Sequence, residues 1–422
     1  MLGLRLPGPF ASLIVLAAGV GLAFVGACSE GSATATCDAD GCDDAGGIRD
    51  TGASSTDAAN LVDGSAPVVD ASTCPAGILC TAKPLYTSKI GMWYTLWWMP
   101  GNTGHWLDWA RYQPLAGYYQ SGQGTAFATH LADFAAMKLD FLLLDHTNGI
   151  NNDGGDIKKN GEALLATLDA STSTGVKQAI AGGAPLWMGS SPDKVAQQTE
   201  DDYVYSTFAN PKIASRMLDT SGLPLFVVYT APGAGDDWTD PRFGIGSATG
   251  TSSGATAIMR SHGLFGWVFD EPTIVDKRVM GAMPGWSTAH LGRATTPILR
   301  EGGNLFIREW LKAIKENPDT IMINSWNDFA EETAIEPATR TNAGAELWAD
   351  SYGTECPSFY YELAKGYSLL RWGLEIDSYV REESNTGVFH VTAKGLAYQA
   401  TMPACHPVLF VPDGYLAQFV HL

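Results

Sequence analysis

From about residue 85 onward, short apolar runs alternate with longer stretches whose apolar positions recur at helical spacing. The runs are "IGMWYTLWW" (90–98), "LDFLLLDH" (139–146), "QAIAGGAP" (178–185), "PLFVVYT" (224–230), "LFGWVFDE" (264–271), "VMGAMPGW" (279–286) and "TIMINSWND" (320–328). Between them lie amphipathic stretches such as "TAFATHLADFAAMKL", "EALLATLDA", "DKVAQQTEDDYVYSTFA" and "NLFIREWLKAIKEN". Nearly continuous apolar strands separated by helices imply a parallel sheet covered by helices. Seven such runs, with an eighth expected after residue 365, predict one α/β domain over residues 85–422 folded as a (β/α)8 TIM barrel. A doubly wound open sheet is the alternative.

Several runs stay apolar until their C-terminal end and then turn polar or aromatic: Trp97–Trp98, Asp145–His146, Tyr229, Asp270–Glu271, Trp286 and Trp326–Asn327–Asp328. In a barrel these ends converge on one face, where active sites are built. A single strand-end carboxylate is explained by capping of the next helix. Several strands ending this way predict a functional cleft.

Residues 1–84 read differently. "MLGLRLPGPFASLIVLAAGVGLAFVGAC" holds one early Arg and an apolar run of about fourteen residues, too short for a membrane span and suited to a signal peptide. Small residues Val25, Gly26 and Ala27 before Cys28 resemble a bacterial lipobox, which implies residues 1–27 as a lipoprotein signal peptide and a lipid bilayer as a partner through lipidated Cys28. The expected place is the cell envelope, at the outer membrane or cell surface. Residues 28–84 are rich in Ala, Asp, Ser, Thr and Gly and cannot bury enough surface to offset chain entropy. They predict a flexible acidic tether with an r.m.s. reach of roughly 40 Å. "CDADGCDD" (37–44) lacks the spacing of a calcium loop. Cys28 aside, Cys37, Cys42, Cys74, Cys80, Cys356 and Cys405 form an even set, as disulfides in an exported protein require. Spacing favours Cys37–Cys42, Cys74–Cys80 and Cys356–Cys405 among the fifteen formal connectivities.

Charge narrows the partners. The net charge is −19, of which residues 29–80 carry −8, so no basic footprint for nucleic acid exists. Histidines are scattered without paired spacing, and no metal or cofactor site is expected. "GTSSG" (250–254) matches the esterase nucleophile elbow around Ser252, but it lies in a Gly/Ser/Thr run without the strand and helix that motif needs. Thirteen Trp and 10% aromatic residues suit a sugar ligand or a large core.

The densest chemistry lies in "INSWNDFAEETAIEP" (323–337). Asp328 and Glu331 are three apart, a spacing that puts both on one face of a helical turn with Cβ atoms roughly 5–6 Å apart. Carboxylates that close share a proton, giving an acid beside a base, as glycosidic cleavage requires. The same spacing is that of a capping box, with Asp328 as N-cap. The segment resembles the signature of glycoside hydrolase families 71 and 99: Trp or Phe, Asn, Asp or Glu, an aromatic, and a Glu ahead of Ile-Glu-Pro. "LAGYYQSGQGTAFATHLADFAAMKLDFLLLDH" and "SFYYELAKGY" are similar to further family segments. The resemblance implies Glu331 as acid/base, Asp328 as the second carboxylate, and an α-glucan or α-mannan type polysaccharide or oligosaccharide cut internally. Family 99 usually has Glu where this chain has Asp328; the shorter side chain is closer to family 71, whose members invert. Trp93, Tyr94, Trp97 and Trp98 are candidate sugar platforms, about half of which strand alternation should turn toward helices. Tyr118, Tyr119, Asp145, His146, Tyr229, Asp270, Glu271, Trp326, Asn327 and Glu336 complete the candidate substrate contacts, with Glu332 and Glu336 also expected to brace the loop. A catalytically silent carbohydrate-binding barrel is the alternative function.

Overall fold

The computed structural model of the protein describes residues 83–421, apart from 101–104, 150–154, 171–174, 183–193, 210–213, 221, 229–239, 248–264, 266–278, 351–352 and 375. Cys28, Cys37, Cys42, Cys74, Cys80, Tyr229, Ser252, Asp270 and Glu271 lie outside the described residues.

Strands β1 (Lys89–Thr95), β2 (Phe141–Asp145), β3 (Lys177–Gly182), β4 (Leu223–Val228), β5 (Gly244–Ser247), β6 (Val279–Ala282) and β7 (Thr320–Ile323) form a parallel sheet. Their spatial order is β5-β4-β3-β2-β1-β7-β6. Among the described residues, sequential neighbours lie side by side and β7 returns to β1, the order of a curled half-barrel rather than the central switch of a doubly wound sheet; the predicted run 264–271 lies, Phe265 apart, outside the described residues. A short strand, Asp219–Thr220, pairs antiparallel with β4. Helices α1 (Gly124–Ala136), α2 (Asp156–Ala170), α3 (Lys194–Thr207) and α4 (Asn304–Glu316) fall in the amphipathic stretches, and α5 (Phe359–Leu370) covers most of the family-like segment "SFYYELAKGY".

Strand alternation divides the core in two. Trp93, Phe141, Leu143, Leu225, Val279 and Met322 meet on the inner side of the curled sheet. Met92, Tyr94, Leu142, Leu144, Phe226 and Ile323 join the larger cluster shared with the helices. Phe265, from the chain between β5 and β6, belongs to the inner cluster and its carbonyl accepts the Trp93 indole N–H at 2.8 Å. Gly91 leaves room on the inner side: a Cβ there would collide with Phe141 and Met322.

Two expectations change. β5 occupies the start of "GIGSATGTSSGATA", which composition marks as loop; parallel pairing with β4 fixes the backbone that its glycines leave undecided. Among the described residues, no eighth barrel strand follows residue 365. That chain forms α5 and then a separate sheet of β8 (Ser378–Glu382), β9 (Phe389–Val391), β10 (Leu396–Gln399), β11 (Val408–Val411) and β12 (Val420–His421), in order β11-β8-β9-β10-β12. The physical reason is the pattern of "SYVRE": Ser378 and Val380 are buried while Tyr379 and Arg381 are half-exposed, as in a sheet with one covered face. Val380, Leu409 and Val411 supply that face. The sheet meets α5 where Leu409 fills the space a Cβ on Gly366 would need and Tyr367 Oη accepts the Phe410 N–H at 3.0 Å. Cys356 and Cys405 form the expected disulfide, Cα atoms 5.2 Å apart, joining the approach to α5 to the loop before β11.

Candidate active site

β7 ends at Ile323 and the chain folds into a compact loop, not a helix, before returning at Ala338. Every residue from Asn324 to Glu336 is buried. Asn324–Ser325 is a cis peptide. Ser325 N donates to Thr333 O at 3.0 Å, Thr333 N to Asp328 O at 3.1 Å, and Glu336 N to Trp326 O at 2.9 Å, so the loop satisfies its own backbone.

Around it stands a scaffold of polar groups. Asn327 Oδ1 accepts the Thr95 N–H at 2.8 Å and its Nδ2 donates to Tyr119 Oη at 3.2 Å, tying the loop to the end of β1. Glu336 accepts Tyr119 Oη–H at 2.5 Å and pairs with His130 Nε2 at 2.9 Å. Tyr94 Oη accepts the Gly122 N–H, which leaves its proton for His130 Nδ1 at 3.2 Å and makes the imidazole Nε2–H the donor to Glu336. Glu332, at φ 55° in the left-handed region, is paired with Arg111. Arg300 Nη2 donates to the carbonyls of Glu332 and Ala334 at 2.8 Å each, its guanidinium held between the rings of Trp348 and Tyr360. Arg300 escaped the sequence reading because no pattern surrounds it; only the folded loop brings it within reach.

Within this scaffold Asp328 and Glu331 are 1% and 8% exposed. Glu331 N–H donates to Asp328 Oδ1 at 2.8 Å, so the capping bond of the alternative reading is present. Glu331 Oε2 accepts the Trp286 indole N–H at 2.9 Å, from the chain after β6. Burial and then the Glu331 charge push Asp328 well above the usual carboxylate range, with accepted backbone N–H groups opposing and Asp145 adding to the rise. Burial raises Glu331 too, but the Trp286 bond and the positive charge of Arg293 oppose it. Asp145, at the end of β2, accepts Thr147 N–H at 2.9 Å and is pushed up to about 6 by burial and, more weakly, by Glu331. Strand ends β2 and β7 therefore set carboxyls in one electrostatic field, where a proton is shared rather than lost.

The other predicted residues divide by location. Trp93 lies in the inner cluster, while Tyr94 and Trp326 pack on α1 around His130 and Phe134. Trp97 and Trp98 are buried at the end of β1, and Trp98 donates its indole N–H to Asn327 O at 2.7 Å. His146 is fully buried against Tyr203 and Phe208 beneath α2 and α3, and burial pushes it down to about 3; it does not join Asp145 at the carboxyl site. Tyr119, Asn327 and Glu336 spend their polar atoms on the scaffold. Tyr118 remains 36% exposed. A cavity of about 250 Å³, lined by Arg111, Trp286, Leu299, Glu332 and Glu346 among others, lies beside the loop; Trp286 and Glu332 border it, whereas Asp328 and Glu331 do not. Among the described residues, the grouping of metal-type ligands close enough to share an ion is Asp350, Cys356 and Cys405, whose sulfurs are bonded to each other.

Fold and site together define an α/β protein with a curled parallel sheet of TIM-barrel type and carboxyls at the C-terminal strand ends. Among solved structures it superposes on the GH99 endo-α-mannosidase of Bacteroides thetaiotaomicron with a TM-score of 0.50 at 16% identity, over 67% of this chain and 98% of that one. A GH99 endo-α-mannosidase structure from the same bacterium with Bis-Tris propane gives 0.47 at 17% identity over 66% and 95%, and a glycoside hydrolase-like protein gives 0.44 at 13% over 70% and 98%. No family model and no curated protein matches the chain. The first likeness shows a fold shared with the GH99 enzyme.

Proposed function

We propose that the protein is a glycoside hydrolase that cuts α-linked polysaccharide, of α-mannan or α-glucan type, at internal bonds. The observation that supports it is the burial of Asp145 at the end of β2 and of Asp328 and Glu331 in the loop after β7, where the Glu331 charge raises both aspartates, in a fold shared with a GH99 endo-α-mannosidase. In this reading one carboxyl of the Asp328–Glu331 pair protonates the leaving oxygen and the other acts as base or nucleophile. The family resemblance gives the acid role to Glu331. Residues 1–27 and Cys28 would tether the enzyme to a membrane, and mass spectrometry of the chain from a membrane fraction tests for the lipid.

The test incubates the domain from residue 85 with α-1,3-glucan, α-mannan and a β-glucan control while proton NMR follows the anomeric signals. Sugar release by the wild type, but by neither Glu331→Gln nor Asp328→Asn, is the expected result, and the first anomer separates inversion from retention. A glycosyl fluoride needs no acid: if Glu331→Gln cleaves it and Asp328→Asn does not, Glu331 is the acid. A second reading, a silent carbohydrate-binding barrel, draws on the Asp328–Glu331 capping bond. Binding without release from any polymer would favour it.

A further inference from the structure

The chain between β1 and α1 carries a feature that the carboxyl site does not use. Trp98, fully buried, stacks on Trp106 with centroids 4.1 Å apart and planes at 23°. Trp106 in turn stacks on Tyr118 at 5.2 Å and 30°. The series runs outward, from 0% and 2% exposure at the tryptophans to 36% at Tyr118. Both indoles are locked: Trp98 Nε1 donates to Thr95 Oγ1 at 2.8 Å and Asn327 O at 2.7 Å, and Trp106 Nε1 to Tyr119 O at 2.8 Å. Phe329, next to Asp328, packs against both tryptophans at 6.1 and 5.6 Å.

We propose that Tyr118 is an outer sugar platform, the exposed end of this rigid stack, and that it makes the protein favour long oligosaccharides over short ones. The inference rests on the glycosidase reading for its substrate and on the stack for its geometry. One ring face is covered by Trp106; the exposed remainder is an apolar surface suited to the C–H face of a pyranose, with the phenol hydroxyl at its edge. Because the rings beneath are fixed by hydrogen bonds, little side-chain freedom is lost on binding. Trp106, which stacks on Tyr118, also packs on Phe329, so the ring is connected through two aromatic contacts to the loop that carries Asp328. Tyr119 turns inward to Glu336, so neighbouring tyrosines serve opposite sides of the chain.

The experiment uses the full domain and α-manno- and α-1,3-gluco-oligosaccharides from disaccharide to hexasaccharide, with wild type, Tyr118→Ala and Tyr118→Phe. Tyr118→Ala should lower kcat/KM on the hexasaccharide about tenfold through KM, while the shortest cleaved substrate changes by less than about twofold. Tyr118→Phe should restore the long-substrate value. An equal loss at every length, no loss at all, or failure of Phe to restore it would overturn the platform. If the wild type cleaves nothing, calorimetric affinities for the same series decide: a length-dependent loss in Tyr118→Ala keeps the platform and removes only the hydrolase. Absence of binding by the wild type to every oligosaccharide sinks both.

Discussion

Strand β2 carries an aspartate at each end, and the two live in opposite electrostatic worlds. Asp140, just before the strand, accepts the Ile90 N–H at 2.6 Å and pairs with Arg371, whose Nη1 also reaches Ser88 O at 2.9 Å and whose Nη2 reaches Lys138 O at 3.1 Å. Asp145, at the other end, has no cation paired with it among the described residues and shares its field with Glu331 and Asp328. A compensated charge holds the sheet to α5; a crowded one keeps its proton up to about pH 6. Barrel-type sheets keep stability at the N-terminal face and chemistry at the C-terminal face. Under the proposed function, β2 has a part in both.

The sharpest break of this contrast is at the crowded end. Glu331→Gln or Asp328→Asn should cost about 10²–10⁴ in kcat/KM on polymer while leaving urea stability equal or higher, since each removes a carboxyl the fold raises. Lost stability alongside lost activity would mean that the pair only caps its turn.

Next in size is the compensated end. Arg371→Met strips Asp140, Ser88 and Lys138 of their shared partner and should lower unfolding free energy by about 3 kcal/mol, with kcat/KM of the folded fraction unchanged. Chemical denaturation beside initial rates would show it, and an activity loss exceeding the unfolded fraction would contradict the division of labour.

Asp145 tests the sign of linkage. Its folded value of about 6 lies above the ordinary 3.8, so the folded chain binds the proton more tightly. Its contribution is fully present below the unfolded value and is lost as pH rises through about 6. Relative to Asp145→Asn, the wild type should therefore gain up to about 3 kcal/mol between pH 7.5 and 3.5. Identical pH dependence in the two proteins would refute the burial argument. The same substitution removes a negative neighbour of Asp328, so the activity limb of that carboxyl should move to lower pH.

The smallest effect belongs to Trp286→Phe. Without the indole N–H the ionised form of Glu331 loses a donor, its pKa rises, and its limb in the pH–rate profile should shift to higher pH. Opposite shifts in the Asp145 and Trp286 variants would separate Asp328 from Glu331 within the pair.

The strands β1–β4, β6 and β7, the helices and the Cys356–Cys405 bridge were legible in the chain, because burial on both faces and helical spacing leave a local apolar pattern. The crowding of carboxyls around "WNDFAEE" was visible as composition. β5 was hidden by its glycines, and the last sheet by short strands whose alternation competes with nothing else in the segment. What only the tertiary structure decided is which polar side chains remain for chemistry. His146, beside Asp145 in sequence, is turned under the helices by the alternation of a strand end; Tyr119 and Tyr118 part in the same way. Arg300 and Arg111, without any motif, were brought to the loop by contacts far apart in the chain. Local pattern sets which elements form, since it follows from each residue's own demand for burial. A carboxyl's protonation and a ring's exposure depend on neighbours supplied by other strands, and those exist only once the sheet has curled.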